Sequence, residues 1–199
     1  MRNEELEAAY RSPGRRHSRE ARWLSQRLRA SSYLREACHS RDKALRYSFG
    51  RRTRVKFRPD GLFLLADRSM VMEFDEHQHA QYKGRIEESR TLRIARAIRN
   101  SGNCAPCVFV RFNPDVMKTR EGGGPSLAVR NSVFDRCIQT LRDYTPPGGP
   151  VFCLYFFYDA SVRSIARSLP QLHIRGEGEV SVLGERLLAA GWSRVPADS

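Results

Sequence analysis

The sequence predicts an α/β fold: a mixed β-sheet sandwiched by helices, with helical extensions at both ends. Three observations predict it. Short runs rich in Val, Phe, Met and Tyr recur between Gly, Pro, Asn and Asp punctuation, as strands do. Longer segments with apolar residues at helical spacing stand among them. The order is a helix, then a β-meander, then α, β, α, β, which implies a sheet with helices on its faces.

Residues 1–44 read as a basic helical extension. "SREARWLSQRLRASSYLREACHSR" sets Trp23, Leu24, Leu28 and Leu34 among arginines, and Ser18 followed by Glu20 fits an ordinary helix start. Residues 45–160 form the main domain. "LRYSFGRRTRVKFRPDGLFLLADRSMVMEFDE" reads strand, turn, strand, turn, strand, punctuated at Gly50, Pro59-Asp60-Gly61 and Ala66–Ser69. "GRIEESRTLRIARAIRNSG" is a helix that ends at Gly102, as a C-cap should. "CVFVRFNPD" is a short strand stopped by Asn113-Pro114. "KTREGGGPS" is a loop, and "LAVRNSVFDRCIQTLRDY" is a second amphipathic helix broken at Pro146-Pro147. "PVFCLYFFYDA" is apolar enough for an interior strand. Residues 161–199 read as a C-terminal helical extension: a helix, a Gly-rich link and a last helix around "VLGERLLAAGW".

The 199 residues carry a formal charge of +13, although the 40% hydrophobic share is ordinary. That imbalance points to an anionic partner, nucleic acid above all. The only lysines are Lys43, Lys56, Lys83 and Lys118, so the charge is almost all arginine, whose fork matches phosphate and guanine edges. No apolar run approaches the ~20 residues of a membrane span. The opening "MRNEELEAAY" has no apolar centre, and five scattered cysteines look like reduced thiols, so an intracellular location is expected. Cys104-Ala-Pro-Cys107 has no second pair to complete a tetrahedral metal site.

The chemistry concentrates in "MVMEFDEHQH" (Met70–His79). In a strand, Glu73 and Asp75 share one face while Met72 and Phe74 share the other. A neighbouring strand ending near Asp60 would bring a third carboxylate beside them. Such oxygen ligands suit Mg²⁺ or Mn²⁺. His79, just beyond the strand, suits a general base or a phosphate hydrogen bond. In the helix that follows, Arg90, Arg93, Arg96 and Arg99 form a slowly drifting basic stripe, fit to track a phosphate backbone. Glu87 and Arg90 are one turn apart, close enough to pair.

The stretch "FRPDGLFLLADRSMVMEFDEHQHAQYKGRIEESRTLRIARAIRNSGNCAPCVFVRFNPD" resembles a family of uncharacterised proteins from giant viruses and algae. That family carries an RPD strand, a "vEiDExqHxxY" block, "ExxR" and "vRFNPD". It looks like a branch of the PD-(D/E)XK nuclease superfamily, close to the very-short-patch-repair and EDxHD homing endonucleases. The resemblance covers about residues 54–115 and extends weakly to about 158. It implies a restriction-endonuclease-like sheet, a Mg²⁺ or Mn²⁺ cofactor and hydrolysis of phosphodiester bonds, with double-stranded DNA the foremost partner. It implies Asp60, Glu73 and Asp75 as metal ligands; Asp75 stands where the common pattern has lysine. His79 matches the histidine that replaces that lysine in catalysis. Tyr82, Glu87 and Arg90 match the helix positions, and Arg111 the arginine of the last strand. Glu36 is the candidate for the upstream glutamate of the EDxHD set. Arg58, Lys83, Arg93, Arg96 and Arg111 are the expected nucleic-acid contacts. The alternatives are an inactive nuclease-fold protein that binds DNA or RNA, including within a ribonucleoprotein, and an interaction module that meets no nucleic acid.

Overall fold

The computed structural model describes residues 19–41, 45–49, 53–57, 59–75, 84–115, 118–119, 122–149, 151–159 and 168–196. The chain opens with helices α1 (Arg19–Ala30) and α2 (Ser32–Ala37), then the short strand β1 (Cys38–Arg41). Two hairpins follow: β2 (Leu45–Phe49) with β3 (Thr53–Phe57), and β4 (Gly61–Leu64) with β5 (Ser69–Phe74). Helix α3 (Gly84–Asn100) leads to β6 (Cys107–Phe112). A minimal pair, β7 (Lys118–Thr119) and β8 (Gly122–Gly123), precedes α4 (Leu127–Arg142). After β9 (Tyr144–Thr145) come β10 (Val151–Phe156) and β11 (Gln171–Ile174). Helices α5 (Glu177–Ser181) and α6 (Leu183–Ala189) and strand β12 (Ser193–Arg194) complete it.

The main sheet has six strands in the order β1-β4-β5-β6-β10-β11. The first two pairings are antiparallel and the other three parallel, so the sheet is mixed and flanked by helices, as expected. Strands β5, β6 and β10 are buried at every residue. Helices cover both their faces, which is why their sequences are continuously apolar rather than alternating. On one face Met70, Met72, Phe74, Val110, Phe112 and Phe156 pack against Trp23 and Leu28 of α1 and Phe134 and Ile138 of α4. The Trp23 ring stacks on Phe112 at 4.7 Å and meets Phe134 edge-on at 4.9 Å. On the other face Val71, Phe109 and Cys153 pack against Ile94, Ala95 and Ile98 of α3.

The ends of α3 and α4 follow from local chemistry. Gly102 adopts φ 98° after α3, and its N–H donates to the Arg99 carbonyl at 3.0 Å. That left-handed turn suits glycine. Ser126 Oγ accepts from the Val129 N–H at 3.3 Å and caps α4.

Three elements differ from expectation. β2 and β3 pair only with each other and β2 lies against α3, so the first hairpin stands outside the main sheet. The edge of β4 that β3 would have used is taken by β1, from a segment that reads as helical. Helix α2 stops at Ala37, where Cys38, His39 and Ser40, all weaker helix formers, follow. Likewise β11 is a strand within the tail read as helical: Leu172 and Ile174 alternate with Gln171 and His173. Both terminal segments are built into the main body, since Trp23, Leu24 and Leu34 from one and Leu183, Leu187 and Trp192 from the other are buried in the same core. No helix among the described residues is long and apolar enough to cross a membrane.

Candidate active site

Parallel pairing sets the site's frame. The register aligns Glu73 with Arg111 and Arg111 with Tyr155 across β5, β6 and β10. Two residues further, Asp75 N–H donates to the Phe112 carbonyl at 2.9 Å and Asn113 N–H to the Phe156 carbonyl at 3.0 Å. The polar residues therefore gather at the carboxyl ends of the parallel strands, where α/β sheets hold their ligands. Helix α3 runs back from β5 to β6, so its first turns bring Glu87 and Arg90 to that same end.

Asp60 lies in the bend just before β4 rather than at the end of a strand as expected, because the chain turns at Pro59-Asp60. Its Oδ2 accepts from the Phe74 N–H at 2.7 Å, which ties the carboxylate to the end of β5. Asp60 is half-buried and Glu73 is buried. Arg90 Nη2 approaches Glu73 Oε1 at 2.9 Å, as an ion pair whose angles fall short of an aligned hydrogen bond. Burial pushes the Glu73 carboxyl up to about 8; Arg90 pulls against that rise, while Asp60 and Asp75 add to it.

Asp75 sits in a different environment. It is 0% exposed, and its Oδ2 accepts from Arg111 Nε at 2.6 Å and from the Tyr158 hydroxyl. Arg111 Nη2 in turn meets Glu87 Oε2 at 2.8 Å. Burial disfavours the Arg111 charge, but Asp75, Tyr158 and Glu87 together hold it firmly protonated. Burial and the Asp75 charge hold the Tyr158 hydroxyl protonated too. The result is a buried chain, Tyr158–Asp75–Arg111–Glu87, running under the site from β10 to α3.

The structure thus brings Asp60, Glu73, Asp75, Glu87, Arg90 and Arg111 to one end of the sheet and divides them. Asp60, Glu73 and Arg90 form an outer group. Asp75, Arg111 and Glu87 form an inner one. Glu87 and Arg90 each reach a sheet residue rather than pairing chiefly with each other. Arg111, expected at the nucleic acid, is 2% exposed and engaged with two carboxylates, so it offers no surface to a polynucleotide. Arg93, Arg96 and Arg99 are exposed on α3, whereas Arg90 turns inward. Arg58, His79, Tyr82 and Lys83 lie outside the described residues, as does the side chain of Glu36.

Two carboxylates suit a divalent ion that keeps water or phosphate in its remaining positions. Asp60 and Glu73 fit that demand, because Glu73 Oε1 is buried beside a second acid without an aligned donor among the described residues. Asp75 does not fit, since its carboxylate serves Arg111 and Tyr158. Among the described residues, no group of three or more His, Cys, Asp or Glu could hold a metal. In the CxxC pair, Cys104 is exposed while Cys107 is buried in β6 with its thiol pushed up to about 11 by burial.

Sequence reasoning missed Tyr158 and Asn113. Tyr158 had a legible signal: Tyr155-Phe156-Phe157-Tyr158 ends an apolar strand in two hydroxyl-bearing rings placed symmetrically about two that lack one. Comparison with protein-family models, with curated proteins and with solved structures finds no match for this chain.

Proposed function

We propose that this chain is a metal-dependent endonuclease of the restriction-endonuclease-like kind, hydrolysing phosphodiester bonds in DNA. The observation that carries the reading is the Asp60–Glu73 pair at the sheet end, with a buried Glu73 oxygen that no aligned donor reaches among the described residues and with burial holding that carboxyl above its ordinary range. In this reading Asp60 and Glu73 hold Mg²⁺ or Mn²⁺. Such an ion, when bound, would supply neutralisation of the scissile phosphate and a more acidic water. Arg90 steadies Glu73. Asp75 is withdrawn from the ligand set and anchors Arg111. His79 keeps its expected role as base. The exposed Arg93, Arg96 and Arg99 follow the phosphate backbone.

A second reading is supported by the same ion pairs: a nuclease fold retained for binding, its acids neutralised internally by Arg90 and Arg111. The two part in a nicking assay. Purified protein with Mg²⁺ or Mn²⁺ is expected to nick supercoiled plasmid or mismatched duplex, and Asp60→Ala or Glu73→Ala to abolish the nicking. Binding without cleavage in either metal, unchanged by both substitutions, establishes the second reading instead.

A further inference from the structure

Strand β10 breaks its own alternation at its carboxyl end. Along Val151–Phe156, odd-numbered residues face α3 and even-numbered ones face α1 and α4. Phe157 should return to the α3 face, but it packs beside Phe112 in the α1 and α4 core, their rings 5.9 Å apart. Tyr158 then lies on the α3 face, where its neighbour in sequence should have been. The cause is visible in the backbone. Phe157 has φ 62°, and no other non-glycine residue described has a positive φ. A bulky residue in that region is strained and persists only where its surroundings hold it.

The surroundings do hold it. Asn113, 0% exposed, donates from Nδ2 to the Phe157 carbonyl at 2.7 Å. The Phe157 N–H donates to the Ile174 carbonyl at 2.8 Å. Arg130 lies over the Phe157 ring at 5.9 Å and donates from Nη1 to the Asn113 carbonyl at 3.1 Å. The turn sets the Tyr158 ring edge-on to Tyr155, 5.1 Å away, and its hydroxyl on Asp75 Oδ2.

We propose that the left-handed turn at Phe157, clamped by Asn113, exists to swing Tyr158 onto Asp75, and that Tyr158 is a positioning residue for the Asp75–Arg111–Glu87 chain. Through that chain it fixes the first turns of α3, and with them Arg90 on Glu73. Its consequence for cleavage rests on the endonuclease reading; the geometric claim stands without it.

Two experiments test it in the full-length protein. The first compares tetranitromethane nitration of Tyr158, read by peptide mass spectrometry, in wild type, Phe157→Gly, Phe157→Val and Asn113→Ala. Both Phe157 variants lose the ring, but only glycine accepts the positive φ without strain. Tyr158 is expected to stay protected in wild type and Phe157→Gly, and to react at least about tenfold faster in Phe157→Val and Asn113→Ala, where the turn opens locally. Equal protection in all four overturns the role of the turn. The second is amide exchange in Tyr158→Phe. Exchange over residues 84–91 is expected to rise about tenfold, the loss of one hydrogen bond to a charged group, with α4 unchanged. Exchange that rises uniformly, or not at all, overturns the positioning role. If the wild type nicks DNA, Tyr158→Phe should also lower kcat about tenfold with KM unchanged. A wild type that does not nick removes the endonuclease reading, while nitration and exchange still decide this one.

Discussion

Replacing Arg111 with methionine removes the cation from the buried chain and keeps an unbranched apolar stem. Two buried carboxylates lose the Arg111 cation: Asp75, 0% exposed, and Glu87, 1% exposed. Breaking a buried ion pair from one side costs about 3–5 kcal/mol, because the remaining charge stays out of water. That is a large share of the roughly 5–15 kcal/mol that holds a folded domain together. For a chain of this length about 2–4 °C of melting temperature goes with each kcal/mol, so a fall of roughly 6–20 °C is expected. Urea unfolding followed by far-ultraviolet circular dichroism at pH 7 measures the free energy directly. The sign with pH is also set. In the variant, Asp75 and Glu87 lose the buried cation that favours their charged forms, so the deficit narrows as pH falls from 7 towards 5. Arg111→Lys keeps the charge but loses the fork that reaches both acids, and should recover only part of the loss. A loss under about 1 kcal/mol for Arg111→Met, or a deficit that widens in acid, would refute the account of this chain as the site's foundation.

Three further outcomes are expected. His173 stacks on Tyr155 at 5.1 Å, and burial, then Arg175 and Arg186, lowers its pKa below 6.5. The unfolded chain therefore takes up this proton first, stability falls as pH drops through and below about 6.5, and His173→Gln should flatten that part of a melting-temperature profile. Burial pushes Cys107 up to about 11 and Cys137 and Cys153 up to about 12, whereas Cys104 is exposed; iodoacetamide should label Cys104 first and these three only in denaturant, and comparable native rates would contradict the packing. Changing Arg93, Arg96 and Arg99 together to Gln should lower the salt slope of DNA binding by up to about 2.7, at roughly 0.9 per phosphate contact, and an unchanged slope would remove α3 from the interface.

The parts of the fold legible in the sequence were those with strong periodicity. The runs of β5, β6 and β10 read as strands, that of β10 as an interior one, and α3 and α4 announced their ends at Gly102 and Pro146. Strands β1 and β11 escaped because four residues carry too little pattern against arginine-rich or glycine-rich surroundings. At the site, alternation predicted that Glu73 and Asp75 share a face, and they do. It could not predict their separate fates. Glu73 lies opposite Arg111 in register, but the Arg111 side chain reaches one row further to Asp75, and that diagonal depends on tertiary packing. Tyr158 was hidden for a related reason: one strained dihedral reverses the face on which strand periodicity would put it.

Strand β10 comes late in the chain, yet lies inside the sheet between β6 and β11. A ribosome that has made only the first 145 residues has made Asp60, Glu73, Arg90 and Arg111 but not the strand that shields them. Until then β6 is an open, apolar border, ready to adhere to another chain. Addition of β10 is therefore the step that closes this border, and products truncated before residue 151 should be found in inclusion bodies.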